Sequence, residues 1–352
     1  MNVLFLGASY GSLLASKLAL AGHDATMVCL PEEVEAFNRD GVVVRFPIRG
    51  REGLVEVSSG DLRGNINAAG PQDVDPKDYD LVCFAMQEPQ YRFPEVAGLL
   101  GKVAASGKPC MSIMNMPPLA YMKRIPGLDT SLIERCYTDP SVWHAFDPGL
   151  VTLCSPDPQA FRPPEDPINV LQVTLPTNFK AARFDSDDHT ALLRRLASDI
   201  EAARYSLGDE SVELPVKLKV HESIFVPLAK WAMLLTGNYR CIQPGDARSI
   251  QESVHSDLAA SEAVYTWVRS LCERLGADSA DLVPFEKYAN AATVLLKPSS
   301  AARALYAGAP FIERVDCLVN TLAGVHGMSS DVVSDTVALV DAKLAANREA
   351  AA

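Results

Sequence analysis

The first thirty residues, MNVLFLGASYGSLLASKLALAGHDATMVCL, carry the tightest constraint on the fold. Val3, Leu4, Phe5 and Leu6 form a continuous apolar run ending at Gly7, the pattern of a strand buried on both faces. Leu13, Leu14, Ala15, Leu18 and Leu20 then recur at helical spacing, Gly22 and His23 stop that helix, and residues 25–30 read as a second strand. Strand, helix and strand within about 30 residues is the length of a parallel β-α-β crossover, and the length at which a dinucleotide-binding domain places its first one.

In the usual form of that crossover the loop reads GxGxxG. The first glycine makes the tight turn, the second admits the pyrophosphate, and the third lets helix pack on strand. Here the loop reads GASYGS. Gly7 holds the first position, Ser9 and Ser12 stand at the second and third, and Gly11 lies beside the last. In a loop one residue shorter, Gly11 takes the third role. Either alignment leaves backbone N–H groups at a helix N-terminus for a phosphate. A bare GxxxG fits a plain turn as well as a cofactor loop. The strand before it and the helix after it favour a cofactor loop made of Gly7, Ser9, Tyr10, Gly11 and Ser12.

Further alternation predicts a doubly wound sheet. Residues 32–39 read as helix, 41–44 as extended, and YDLVCFAM as a buried strand; the helix PEVAGLLGKVAA and the strand KPCMSIMN follow. Residues 58–77, polar and rich in Gly, Asn and Asp, read as a surface excursion. Residues 155–168 carry five prolines and read as a loop. NVLQVTL, AARF and the helix DDHTALLRRLASDIEAA complete the domain, taken as residues 1–215. From 216 to 352 helical patterns dominate, over 219–236, 250–275, 280–296 and 311–325 and then a terminal Ala-rich helix. The fold class is therefore α/β: an N-terminal Rossmann-type NAD(P)-binding domain followed by an all-helical C-terminal domain.

Composition excludes several partners. The 352 residues are 48% hydrophobic and 22% charged, as in an ordinary globular protein, and long enough for two cores. A net charge of −12 argues against nucleic acid or an anionic membrane surface. No apolar run reaches the ~20 residues of a membrane span, and no basic stretch precedes the N-terminal strand as in a signal peptide. Eight scattered cysteines without a CxxC pair read as reduced thiols of a cytoplasmic protein. His23, His144, His189, His221, His255 and His326 show no metal-ligand spacing, so no metal is assigned, and Trp143, Trp231 and Trp267 read as packing residues.

In the order of these features the chain resembles the ketopantoate reductase (2-dehydropantoate 2-reductase) family along nearly its whole length. GASYGSLLASKLALAGHDATMV is similar to that family's opening loop, helix and second strand. SIMNMPP stands where the family has a strand ending in an Asn-Gly turn beside the nicotinamide, which matches Asn115. AKWAMLLTGN resembles the helix carrying the catalytic lysine, matching Lys230 to the lysine and Asn238 to an asparagine eight residues on. KPSSAARALYAGAPFIERVD resembles a Pro-Ser-Met segment followed by Thr-Glu-Ile-Asp, matching Ser300 to a substrate-binding serine and, with a one-residue gap, Glu313 to an acid near the active site. Three positions depart from the pattern. Leu234 replaces the first asparagine after the lysine, Leu30 replaces the arginine that meets a 2′-phosphate, and Met86 and Gln87 stand where a lysine should follow the VCFAM strand.

The resemblance implies an NADP- or NAD-dependent reductase of a small 2-oxo acid, with its active site in a cleft between the domains. Lys230 would be the proton donor and Glu313 the second catalytic residue. Asn115, Asn238 and Ser300 would bind substrate, and Leu30, Met86 and Asn115 would line the cofactor with the glycine loop. The helical domain, of the 6-phosphogluconate dehydrogenase type, would bind substrate and form a homodimer.

Each residue also has an ordinary reading. Lys230 lies in the apolar stretch IFVPLAKWAMLL, so its ammonium needs a partner, a cleft or the helix edge, as a snorkelling lysine would. Asn238, about 80° round a regular helix from Lys230, would also serve as a C-cap after Gly237. Glu313 lies opposite the stripe Phe311, Ile312, Val315, Leu318, Val319 and Leu322, as on any solvated helix face. Ser300 would serve as an N-cap, and Asn115 as a turn residue. Glu32, about 20 residues past the loop, would favour NAD by binding the ribose, or would simply complement a helix dipole. Two rivals remain: an opine-type dehydrogenase, whose His-Pro signature is not evident, and a dinucleotide-binding sensor without catalysis.

Overall fold

In the computed structural model, which describes residues 1–351, the chain divides into two compact units. The first comprises Met1–Met86, Gln90–Arg124 and Ser141–Glu222; the second comprises Gln87–Pro89, Ile125–Pro140 and the chain from Ser223 onward.

The first unit opens as the sequence demands: β1 (Asn2–Leu6), α1 (Ser9–Leu20), β2 (Asp24–Val28) and α2 (Pro31–Asp40). It continues through β3 (Val43–Pro47), β4 (Leu54–Ser58), β5 (Ile66–Ala69), β6 (Leu81–Phe84), α3 (Pro94–Ser106), β7 (Cys110–Ile113) and the short α4 (Leu119–Met122). Then come β8 (Val151–Ser155), β9 (Gln159–Phe161), β10 (Val170–Leu175), β11 (Phe179–Ala182), α5 (Asp187–Ala202), a hairpin of β12 (Tyr205–Leu207) and β13 (Glu210–Val212), and β14 (Leu218–His221). Eight strands form one sheet in the order β14-β11-β8-β7-β6-β1-β2-β5, parallel throughout except between β11 and β8. Its central strands are the continuous apolar runs, since every residue of β6, β7 and β8 is buried.

A second sheet, ordered β4-β3-β10-β9, was not foreseen. It accounts for α1, ten of whose twelve residues are buried. That helix contacts β1, β2 and β5 of the large sheet and β3, β9 and β10 of the small one, so it needs apolar residues all round. Lys17 of this helix is also buried, at 2% exposure, its Nζ donating to the Leu214 carbonyl at 2.7 Å. Burial lowers its pKa to about 7.

Two polar segments contain strands that composition hid. Residues 58–77 are not an excursion: Ile66–Ala69 closes the large sheet beside β2. The Asn38 side chain completes its bonding, donating to Ala68 O at 2.8 Å and accepting from Ala68 N at 2.9 Å. Residues 155–168 contain β9, and their Asp166 forms a bidentate pair with Arg45.

The second unit is built from helices, with no strand among its described residues. Residues 219–236 are not one helix. The strand β14 ends the first unit's sheet, a 3-10 turn covers Val226–Ala229, and α6 (Lys230–Met233) then runs into a π turn, Leu234–Asn238. The changeover of units accordingly falls after Glu222. The expected helix over 250–275 is two, α7 (Ile250–His255) and α8 (Leu258–Arg274), because the Asp257 side chain caps a new start by accepting from Ala260 N. Next come α9 (Phe285–Ala292), starting after Pro284, α10 (Ser300–Tyr306), α11 (Val315–Val325) and α12 (Asp331–Ala351). No helix among the described residues is long and apolar enough to cross a membrane.

Candidate active site

Four of the predicted cofactor residues follow four adjacent parallel strands. Asn115 lies just past β7, Met86 past β6, Gly7 past β1 and Leu30 past β2, so all stand at one C-terminal edge of the sheet. The chain runs from β1 to β2 on one side and later returns to β6 on the other, which makes the β1–β6 edge the switch point where open α/β sheets bind ligands.

Gly7 is required there. Its φ of +111° suits glycine, and a Cβ would lie 2.4 Å from Met86 Cγ and 2.7 Å from the Ala85 carbonyl oxygen. The turn is tied down by Gly7 N donating to Val28 O at 2.9 Å. α1 begins without a side-chain cap, so its first-turn N–H groups face outward from the turn as an anion site would need. Ser9 is exposed and Tyr10 half-buried. Ser12 faces inward instead: its hydroxyl donates to Ala8 O at 2.5 Å and approaches Met27 Sδ at 3.6 Å. Gly11 is buried against Phe5 and Met27, with space for a Cβ at 3.5 Å.

At the end of β2, Leu30 is 61% exposed. Glu32 is exposed there, and the next residue, Glu33, is buried at 7% exposure. One Glu33 oxygen accepts from Leu30 N at 2.9 Å and the other pairs with Arg162, from the proline-rich segment. The Arg162 guanidinium lies 5.6 Å above the Phe37 ring. Sequence spacing alone gave no sign of this pair.

In the second unit, Lys230 is the first residue of α6 and half-buried. The π turn that follows has an identifiable cause. Tyr239 N bonds five residues back to Leu234 O at 2.9 Å, and the Tyr288 hydroxyl donates to Met233 O at 3.1 Å. Tyr288 can approach because residue 237 is glycine; a Cβ there would lie 2.0 Å from its hydroxyl oxygen.

A π turn absorbs one extra residue, so the eight steps from Lys230 to Asn238 rotate about as far as seven α-helical ones. This places Asn238 roughly 20° from the Lys230 face instead of about 80°. Burial agrees: from residue 227 to 239 only Lys230, Met233 and Asn238 are not buried. Leu234 packs inside at 3% exposure.

Glu313 contradicts the solvated-helix reading. It precedes α11, and at 6% exposure it is buried. The Tyr239 hydroxyl donates to Glu313 O at 2.5 Å and accepts from Val315 N at 3.0 Å, fixing this segment against the residue after Asn238. Arg314 anchors it further, bidentate to Asp316 at 3.0 Å and bonded to Asp341 at 2.6 Å.

The N-cap of α10 is Ser299, not Ser300. Ser299 Oγ accepts from Ala302 N at 3.1 Å and donates to Asn238 O at 2.7 Å, while Ser300 is exposed on the first helical turn. The structure thus brings Asn238, Ser299 and Glu313 together around one π turn.

One buried carboxyl had no place in the sequence reading. Glu88, two residues past Met86, belongs to the second unit and is 2% exposed. Its carboxylate accepts from Thr138 N at 2.9 Å and from Thr138 Oγ1 at 2.8 Å, and its own N–H points at Glu313 Oε1 from 3.4 Å. Burial raises its pKa to about 7, with the charge of Glu313 adding to the rise and the bonds from Thr138 opposing it. No group of three or more His, Cys, Asp or Glu side chains among the described residues could hold a metal ion.

No family model matches the chain, and no curated protein matches it. Solved structures do. A D-mandelate dehydrogenase, described as a ternary structure with NADH and anilino(oxo)acetate, superposes with a TM-score of 0.66 at 13% identity, covering 99% of this chain and 100% of that one. A 2-dehydropantoate 2-reductase from Methylococcus capsulatus gives 0.67 at 14% identity, covering 99% and 98%. A ketopantoate reductase from Staphylococcus aureus, described as dimeric, gives 0.62 at 9% identity, covering 99% and 100%. At such identities the likeness is one of architecture: this chain has the two-part α/β and helical fold that the ketopantoate reductases and D-mandelate dehydrogenase share.

Proposed function

We propose that the chain is an NAD(P)-dependent reductase of a small 2-oxo acid. The observation that carries this reading is the π turn of the second unit. It puts Asn238 on the face of Lys230 and ties the following residue, Tyr239, to the backbone of a buried Glu313. A lysine, an amide and a carboxyl are what the carbonyl end of such a reaction requires. Lys230 would donate the proton to the forming alkoxide, Asn238 and Ser300 would hold the substrate oxygens, and Glu313 would orient the proton donor.

The first unit suits a dinucleotide. Gly7 leaves its turn without a side chain, the uncapped start of α1 offers N–H groups to a pyrophosphate, and Asn115 and Met86 stand at the switch point. A bound nicotinamide would supply the hydride. The Glu33–Arg162 pair occupies the end of β2, where the ribose 2′ substituent is read, and so is the feature that would select NADPH or NADH. A cytoplasmic location and a homodimer belong to the same reading; all eight cysteines are free thiols, and a neighbour of the same fold is dimeric.

The test is oxidation of NADPH and of NADH with ketopantoate and a panel of other 2-oxo acids, each with and without amino acids. Lys230→Ala should lower kcat by roughly 100- to 10,000-fold, the usual worth of a general acid. Turnover that requires an amine would transfer the assignment to the opine class. Calorimetric binding of a dinucleotide with no turnover on any acid would overturn the reductase reading in favour of a sensor.

A further inference from the structure

Two cysteines far apart in sequence meet in the second unit. Cys136 ends the 3-10 helix Thr130–Cys136, and Cys317 lies in the first turn of α11; their sulfur atoms are 3.4 Å apart. We propose that Cys136 and Cys317 are an oxidisable dithiol, a modification site at which a hydroperoxide converts the pair to a disulfide.

The two thiols are built for different parts. Cys136 is 2% exposed, whereas Cys317 is half-buried and so reachable by a molecule as small as hydrogen peroxide. Cys136 Sγ–H donates to Cys317 Sγ, and the Thr321 hydroxyl lies 3.5 Å from Cys136 Sγ. The start of α11 and the neighbouring Arg314 also favour negative charge on Cys317, against partial burial and the adjacent Asp316, which oppose it. Its pKa is accordingly lowered, mainly by the bond from Cys136, while that of Cys136 is raised by the same bond and by burial. Cys317 is therefore the nucleophile and Cys136 the resolving thiol.

The chemistry balances without any bound group. Cys317 thiolate attacks one oxygen of H2O2, the O–O bond breaks, and the departing hydroxide takes a proton to leave as water. Cys317 is then a sulfenic acid. Cys136 attacks that sulfur, the S–O bond breaks, and the Cys136 proton leaves with the hydroxyl as a second water. Two thiols have lost two electrons to one peroxide. The sulfur atoms must close from 3.4 Å to about 2.05 Å.

The linkage joins two segments around the carboxyl cluster. Thr138, two residues beyond Cys136, holds Glu88, and Glu313 lies four residues before Cys317. Oxidation would clamp these segments together, and any effect on turnover rests on the role given to Glu313 above.

The test counts thiols and maps peptides in the full-length protein, so it does not depend on the reductase reading. A small excess of hydrogen peroxide, followed by denaturation and thiol titration, should reduce eight free thiols to six. Nonreducing peptide mapping should find the 136–317 link, and dithiothreitol should reverse it. Cys136→Ser should leave a sulfenic acid on Cys317 that a dimedone probe captures, while Cys317→Ser should lose both link and probe. Retention of all eight thiols in the wild type, or loss from other cysteines first, overturns the proposal whatever the variants do. A link that forms and leaves turnover unchanged removes the effect on the site and keeps the modification.

Discussion

Replacing Glu88 by glutamine tests whether a buried carboxyl beside Glu313 is held at a cost. The amide keeps the shape, since its oxygen can accept from Thr138 N–H and its nitrogen can donate to Thr138 Oγ1. What changes is the charge. The Glu88 pKa rises from 4.5 to about 7, and each unit is worth about 1.4 kcal/mol, so ionising it in the folded state costs roughly 3 kcal/mol. An acid whose folded pKa exceeds its unfolded value binds more protons when folded. Its stabilising contribution is complete below pH 4.5 and is lost as pH rises to about 7. Glu88→Gln should therefore lie within about 1 kcal/mol below the wild type near pH 4.5, the allowance for imperfect bonding, and exceed it by about 2–3 kcal/mol at pH 8. Urea unfolding at half-unit pH steps measures this directly. Parallel stability curves, or a variant less stable than wild type at pH 8, would show that Thr138 and its neighbours fully stabilise the carboxylate.

Lys17→Met removes a cation buried among apolar residues. Burial there costs about 5 kcal/mol from the fall of 10.5 to about 7, against about 1–3 kcal/mol for the Leu214 carbonyl left without its donor. The variant should be about 2–4 kcal/mol more stable at pH 7. The wild type should recover most of this as pH rises from 7 toward 10.5, because the unfolded lysine keeps the proton that the folded one sheds, and denaturant titrations should show the advantage of the variant shrinking. Gly7→Ala puts a Cβ 2.7 Å from a main-chain carbonyl at positive φ; it should cost about 2–4 kcal/mol in thermal unfolding and abolish calorimetric dinucleotide binding. Tyr239→Phe strips Glu313 O and Val315 N of a shared partner and should cost about 1–3 kcal/mol, with a change in kcat. A loss under 0.5 kcal/mol would refute the anchoring role given to that hydroxyl.

The place of Gly7, Leu30, Met86 and Asn115 at one edge of the sheet was largely legible because it follows from strand order and local pattern. Val3–Leu6, Gly7 and the helix after it announce a β-α-β unit, and a parallel sheet must then place the ends of β1, β2, β6 and β7 on one edge. Other features were hidden because long-range contacts decide them. Ile66–Ala69 reads as polar chain, and it is a strand because β2 offers it an edge and Asn38 completes its bonding. Lys17 looks like any helical lysine until the chain after β13 closes over it at Leu214. Glu313 carries a surface pattern, yet Tyr239 draws its backbone inward, and Glu88 gains its character from burial, from Glu313 and from Thr138, fifty residues away. The sequence by itself determined which residue types were present and the periodicity of the elements. Tertiary structure decided which charges were buried, that Asn238 turned onto the face of Lys230, and that Cys136 met Cys317. Desolvation and helix register depend on neighbours that no local window contains.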